Sequence, residues 1–284
     1  MRVAIIGAAL TIAISIQTQS AVVFAADSKL TTYGLVGVDK DGKPIRVPQT
    51  FDNATKSVQD ASARGVAMLA GEISLGPISF LDYVATSSVP LSKDDAEQKA
   101  MIVEFANGIA ALRAAYWGSI PEDEWDWTVL LLAVAQPESK SPSVWRLVFH
   151  KKDPVVSQET LGVRFEGAYR RVFPLMYGYD PTIALAVANE LSGADPPKTL
   201  TDFFAAAAKL KVLKPIEQLN TGVVPVQDAM DLAYFLATSQ IQMERFLPGE
   251  NYCGGPIDVM VLKTAPVTEI LWYPGKALRH PAAR

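Results

Sequence analysis

The chain predicts an α+β fold in which antiparallel sheets are covered by helices. Three observations carry that reading. Strand-like and helix-like segments come in runs rather than in strict alternation, which argues against a doubly wound parallel sheet. The strand-like segments pair locally, beginning at a hairpin signal, Asp41-Gly42. Residues are 49% hydrophobic and only 20% charged over 284 positions, enough to bury a sizeable core. The count of segments fits two stacked antiparallel sheets between two helical layers.

Residues 1–25 read as a signal peptide. Arg2 supplies a minimal positive start, and residues 3–16 form a nearly unbroken apolar run. At about fourteen residues that run has h-region length and is short of the roughly twenty a membrane helix needs. Val23 and Ala25 suit a cleavage site between Ala25 and Ala26. The expectation is an exported, periplasmic or secreted protein, a single domain over residues 26–284, and no stable membrane insertion after cleavage.

Residues 33–38 then read as a strand, returned antiparallel by residues 44–47. Residues 66–70 form a short apolar strand closed by Gly71. Helical spacing runs over residues 77–84. Ser92, with Asp95 three residues on, resembles a capping box. Ala96, Ala100, Val103, Ala110, Ala114 and Trp117 then mark one face of a long helix. Residues 128–135 are a continuous apolar run, hence a strand buried on both faces. Residues 144–149 pair with it, and Val163 and Phe165 mark another strand, ending at Glu166-Gly167. Asp180-Pro181 starts a helix that Gly193 stops, and Thr201 caps a short one. Residues 225–246 are strongly amphipathic, with Ala229, Ala233, Leu236 and Gln240 in line. Strands follow at residues 257–262 and 269–273, before a basic tail.

Composition excludes several classes. A formal net charge of −4 disfavours nucleic acid as the main partner. The single cysteine, Cys253, forms no internal disulfide. With two histidines, His150 and His280, a Cys–His dyad and a zinc site both lack material. No metal or other cofactor is expected.

Four ordered stretches carry a resemblance. They are Thr31-Thr32-Tyr33-Gly34-Leu35-Val36-Gly37-Val38; Lys56 with Ala67-Met68-Leu69-Ala70-Gly71; residues 162–167 with 175–180; and Glu250-Asn251-Tyr252-Cys253-Gly254-Gly255 leading into an apolar strand. Together they resemble the proteasome β-subunit family of the N-terminal-nucleophile (Ntn) hydrolases. The resemblance implies a four-layer αββα sandwich and threonine-type peptidase or amidohydrolase chemistry on a peptide or small amide. It implies Thr32 or Thr31 as nucleophile and Lys56 as electrostatic helper. Gly71, Glu166, Glu250 and Cys253 would support the cleft, Glu250 and Cys253 standing where the family carries aspartate and serine. Family members also self-associate, so a homo-oligomer is expected.

The chemistry has a physical basis. A threonine hydroxyl is a weak nucleophile until a base takes its proton, and an α-amine of pKa about 7.7–8.0 can do so. A nearby ammonium holds that amine neutral and lowers the hydroxyl pKa. Against this, the stretch 46–50 lacks a carboxylate to orient Lys56, and cleavage after Ala25 would leave extra residues before either threonine. A catalytically silent oligomeric or partner-binding module is therefore the alternative.

Overall fold

The computed structural model describes residues 11–38, 40, 44–75, 78–117, 127–150, 152–177, 220–246, 251–264 and 267–273. The expected turn at Asp41-Gly42, the helices from Asp180 and Thr201, and Glu250 lie outside them.

The chain is α+β, and every strand pairing is antiparallel. It opens with two strands, β1 (Ile12–Gln17) and β2 (Ala21–Asp27). A hairpin follows, β3 (Leu30–Val38) and β4 (Pro44–Phe51). Then come β5 (Ser57–Gln59), β6 (Gly65–Gly71), α1 (Phe80–Thr86) and α2 (Asp95–Trp117). Next are β7 (Thr128–Val134), β8 (Ser143–Phe149), β9 (Val155–Glu159), β10 (Gly162–Gly167) and α3 (Phe173–Tyr177). The last elements are α4 (Val226–Arg245), β11 (Ile257–Lys263) and β12 (Glu269–Tyr273). One sheet has the order β10-β1-β2-β11-β12, a second β5-β6-β7-β8-β9, and β3-β4 form a separate pair.

Within the segment expected to be a signal peptide, the described residues form β1 and most of β2. Ile12, Ile14 and Ile16 alternate with Ala13, Ser15 and Gln17, the period of a strand with one bulky face. That face joins Val23 and Ala25 of β2 in a core with Ala229, Ala233 and Leu236 of α4. The opposite face, Ala13 with Val22, Phe24 and Ala26, packs on Met68, Val129 and Leu131 of the second sheet. Each isoleucine is fully buried. Burial of such a side chain stabilises by about 1.5–3 kcal/mol against a total stability of about 5–15 kcal/mol. A chain cut after Ala25 would lose β1 and nearly all of β2, the two strands that lie between β10 and β11.

A third core lies on the outer face of the second sheet, where Phe80 and Val84 of α1 and Ile102, Ala106 and Ile109 of α2 cover Leu130, Leu132 and Leu147. The buried stripe of α2 is Gln98, Ile102, Ala106, Ile109, Ala110, Arg113 and Trp117. Ala96 and Ala100, expected on that stripe, are exposed. The reason is that two polar side chains belong to it. Gln98 donates to the Pro90 carbonyl at 2.8 Å and accepts from Ser92 N–H at 2.7 Å, and Arg113 donates to the Phe149 carbonyl at 2.8 Å. Asp94, rather than Ser92, caps the helix, accepting from Glu97 N–H at 2.8 Å. On α4 the buried line contains Ala229, Ala233, Leu236 and Gln240, as the spacing predicts. No helix among the described residues is long and apolar enough to cross a membrane.

Candidate functional site

The site forms where β1 begins and β2 ends. Their register pairs Ala13 with Ala26, so one further step sets Asp27 opposite Ile12 and beside Thr11. The Thr11 hydroxyl donates to Asp27 Oδ1 and accepts from Lys56 Nζ. Lys56 Nζ also donates to Asp27 Oδ1 at 2.8 Å, and Ile12 N–H reaches the same oxygen at 3.2 Å. Thr11 and Asp27 are 0% exposed and Lys56 is 1% exposed. A hydroxyl thus sits between a carboxylate and an ammonium away from water, where their fields are little screened.

The other carboxylate oxygen is held from the C-terminal side of the chain. Asp27 Oδ2 accepts from Gly254 N–H at 2.8 Å and from Lys29 N–H at 3.4 Å. Lys29 Nζ in turn donates to the Asn251 carbonyl. Lys56 immediately precedes β5, and its carbonyl accepts from Leu69 N–H at 2.9 Å, which ties it to β6.

Two of the glycines that close strands admit close backbone approach, Gly167 beside Thr11 and Gly71 beside Trp127. Gly167 closes β10 at φ +77°, and a Cβ on it would overlap the Thr11 carbonyl oxygen. That oxygen accepts from Ala168 N–H at 2.7 Å, which fixes the peptide after the Thr11 side chain. Gly71 closes β6 at φ +104°, where a Cβ would overlap the Trp127 carbonyl oxygen. Both conformations are ones that only glycine adopts readily.

Lys56 is the one expected catalytic residue placed at this centre. Thr31 and Thr32 are not at its centre. They lie on β3, opposite Thr50 and Gln49, in the separate two-stranded sheet. The buried hydroxyl that does meet Lys56, that of Thr11, lies some twenty residues before the two expected threonines. The carboxylate that pairs with Lys56 is Asp27, which lies outside the stretch 46–50 where one was expected. Glu166 lies on β10 opposite Ala13 and forms a two-point ion pair with Arg146, at 2.5 and 3.2 Å, that joins the two sheets. Burial works against the Arg146 charge, but the bond to Glu166 outweighs it and the pKa is raised. Cys253 is fully buried, and its thiol lies 3.8 Å from the Ala168 carbonyl. Burial, with Asp27 and Glu244 nearby, pushes that thiol far above its ordinary range, so it is a neutral packing group rather than a nucleophile.

Thr11, Asp27, Gly167 and Gly254 escaped the sequence reading as site residues. The available signal was the Ile12-Ala13-Ile14-Ser15-Ile16 alternation, flanked by a threonine and followed by a second strand ending in aspartate. No group of three or more His, Cys, Asp or Glu side chains suited to a metal occurs among the described residues.

Comparison with known proteins gives a distant likeness. No protein-family model matches the chain, and no curated protein matches it. Among solved structures it is similar to Anbu from Hyphomicrobium sp. strain MC1, at 12% identity and TM-score 0.46, covering 94% of this chain and 88% of that one. It is also similar to Anbu (ancestral beta-subunit) from Yersinia bercovieri, at 13% identity and TM-score 0.46, covering 89% and 81%. These values correct the resemblance to the proteasome β-subunit family. With no family match and likeness this remote, membership does not follow, and the chemistry has to be argued from the site itself.

Proposed function

We propose that this protein is an amidohydrolase whose nucleophile is Thr11, acting as the first residue of a processed chain. One observation carries the reading: the hydroxyl of the residue just before β1 is held by a buried ammonium, Lys56, and a buried carboxylate, Asp27. In the unprocessed chain the Thr11 nitrogen is acylated by Leu10. Hydrolysis of the Leu10–Thr11 bond would give Leu10 a carboxylate and Thr11 a free amine.

That amine would then accept the hydroxyl proton as Oγ1 attacks an amide carbonyl carbon. The C–N bond breaks, the departing amine takes the proton, and an ester to Thr11 remains. Water hydrolyses the ester and restores the hydroxyl. The Lys56 ammonium favours the alkoxide and keeps the amine neutral, while Asp27 holds the lysine. The Gly71 N–H is the candidate oxyanion donor. The substrate class is a peptide or small amide.

The three cores support a four-layer order, with α4 and α3 outside one sheet and α1 and α2 outside the other. In this reading any removed segment ends before Thr11, so a leader running to Ala25 is not part of it. Self-association is a further element, to be checked by sedimentation. The decisive test is the N-terminus of the purified protein, with labelling by a peptidyl β-lactone. A chain beginning at Thr11 and acylated there would support the proposal. A chain that keeps Leu10 on prolonged incubation and takes no label would favour the catalytically silent module instead, since an acylated Thr11 has no amine base.

A further inference from the structure

The Thr11–Asp27 pair is held from two loops, residues 168–172 and 251–254, and both are anchored on a single helix. Glu244 Oε2 accepts two successive backbone N–H groups, Tyr252 and Cys253, each at 2.9 Å. Its other oxygen accepts from Gln240 Nε2 at 2.7 Å. Gln240, 1% exposed, uses its carbonyl oxygen to accept from Arg171 N–H at 3.1 Å and Val172 N–H at 3.3 Å. Residues 240 and 244 are one helical turn apart, so both point along the same line of α4.

From these loops the contacts continue to the reacting centre. Gly254 N–H follows Cys253 directly and donates to Asp27. Ala168 donates to the Thr11 carbonyl and receives the Cys253 thiol. The chain of bonds therefore runs from Asp27, through the 251–254 loop, Glu244 and Gln240, to the 168–172 loop and back to Thr11. We propose that Gln240 and Glu244 are positioning residues that hold the two loops in register and thereby set the Thr11–Asp27–Lys56 geometry. The inference rests on the chemistry proposed above for Thr11.

Two substitutions at one position separate this role from simple packing. Glu244→Ala removes the acceptor of the 251–254 loop and also that of Gln240 Nε2, which orients the Gln240 carbonyl oxygen toward residues 171–172. Glu244→Gln keeps one carbonyl oxygen for Tyr252 and Cys253 but turns an amide donor toward Gln240, breaking only the branch to residues 171–172. With the full chain, we would measure the rate of Thr11 labelling by a peptidyl β-lactone and the hydrogen exchange of the Gly254 and Ala168 amides. Displacement of a reacting group by a fraction of an ångström slows chemistry by about 10-fold or more. Glu244→Ala is expected to slow labelling by that factor and to speed exchange at both amides. Glu244→Gln is expected to speed exchange at Ala168 only and to label at an intermediate rate. Wild-type labelling in Glu244→Ala, or equal exchange changes in the two variants, would overturn the proposal. If the wild-type chain takes no label, the chemistry at Thr11 fails. The positioning role is then decided by exchange alone, upheld by the split pattern and overturned without it.

Discussion

Lys56 and Asp27 show how closely function and stability are joined at single residues. Both are out of water, so removing either strands the other charge. Breaking a buried pair costs about 3–5 kcal/mol. Lys56→Met is therefore expected to destabilise by that amount in urea unfolding, and Lys56→Met with Asp27→Leu should recover only part of it, because Ile12 and Gly254 N–H lose their acceptor, with Thr11 labelling abolished in both. Cys253 gives a pH signature. Its folded pKa lies above the ordinary value of 9.0, so the folded state binds its proton more tightly than the unfolded chain does. That stability is complete below about pH 9 and falls as pH rises further. Cys253→Ala should flatten the alkaline slope in thermal melts. At this scale the sequence singled out Lys56, through the resemblance carried with the Ala67–Gly71 run, but not the Thr11 and Asp27 it meets. A leader and a strand pair of Ile, Val and Ala are equally apolar, and only the period-two alternation distinguishes them.

Among elements, the hairpin β3–β4 and the glycine at the end of β10 behave oppositely. The hairpin belongs to neither five-stranded sheet, and Leu30 pairs with Phe51 at its base. Replacing residues 31–50 by a short turn should leave both sheets intact, with a melting transition that remains cooperative by circular dichroism. Gly167→Ala should instead be severe, because the added carbon overlaps the Thr11 carbonyl oxygen in a backbone conformation that disfavours alanine. Loss of Thr11 labelling, together with a lowered melting temperature, is the expected result. Sequence reading located the hairpin correctly as a hairpin but gave it the wrong place in the fold. Turn chemistry is local, whereas membership of a sheet depends on which partners lie across from it. The α2 stripe was read correctly at Ala110 and Trp117 and misplaced at Ala96 and Ala100 for a related reason. Gln98 and Arg113 are buried only because carbonyls elsewhere in the chain receive them.

For the molecule as a whole, the order of strands makes the N-terminal segment indispensable. β1 and β2 stand between β10 and β11, so their loss would divide one sheet into separate parts. A protein beginning at Thr11 should fold cooperatively. One beginning at Ala26 should show a collapsed far-ultraviolet signal and no unfolding transition in denaturant. The α+β class and the two C-terminal strands were visible in the sequence, since their local patterns are unambiguous. Their lateral order was not, because it joins residues near 15 to residues near 165 and 260.

Burial of the Lys56–Asp27 pair also governs its response to ionic strength. Dissolved ions screen charges across roughly 8–10 Å of water at moderate salt, but a buried pair is screened much less. The reactivity of Thr11 toward an uncharged electrophile should thus stay nearly constant from dilute buffer to molar sodium chloride. The exposed pair Lys93–Glu138, at 63% and 75% side-chain accessibility, should by contrast contribute nothing measurable once salt is added. The field around Thr11 would thus be set by the protein's own charges rather than by the medium in which it works.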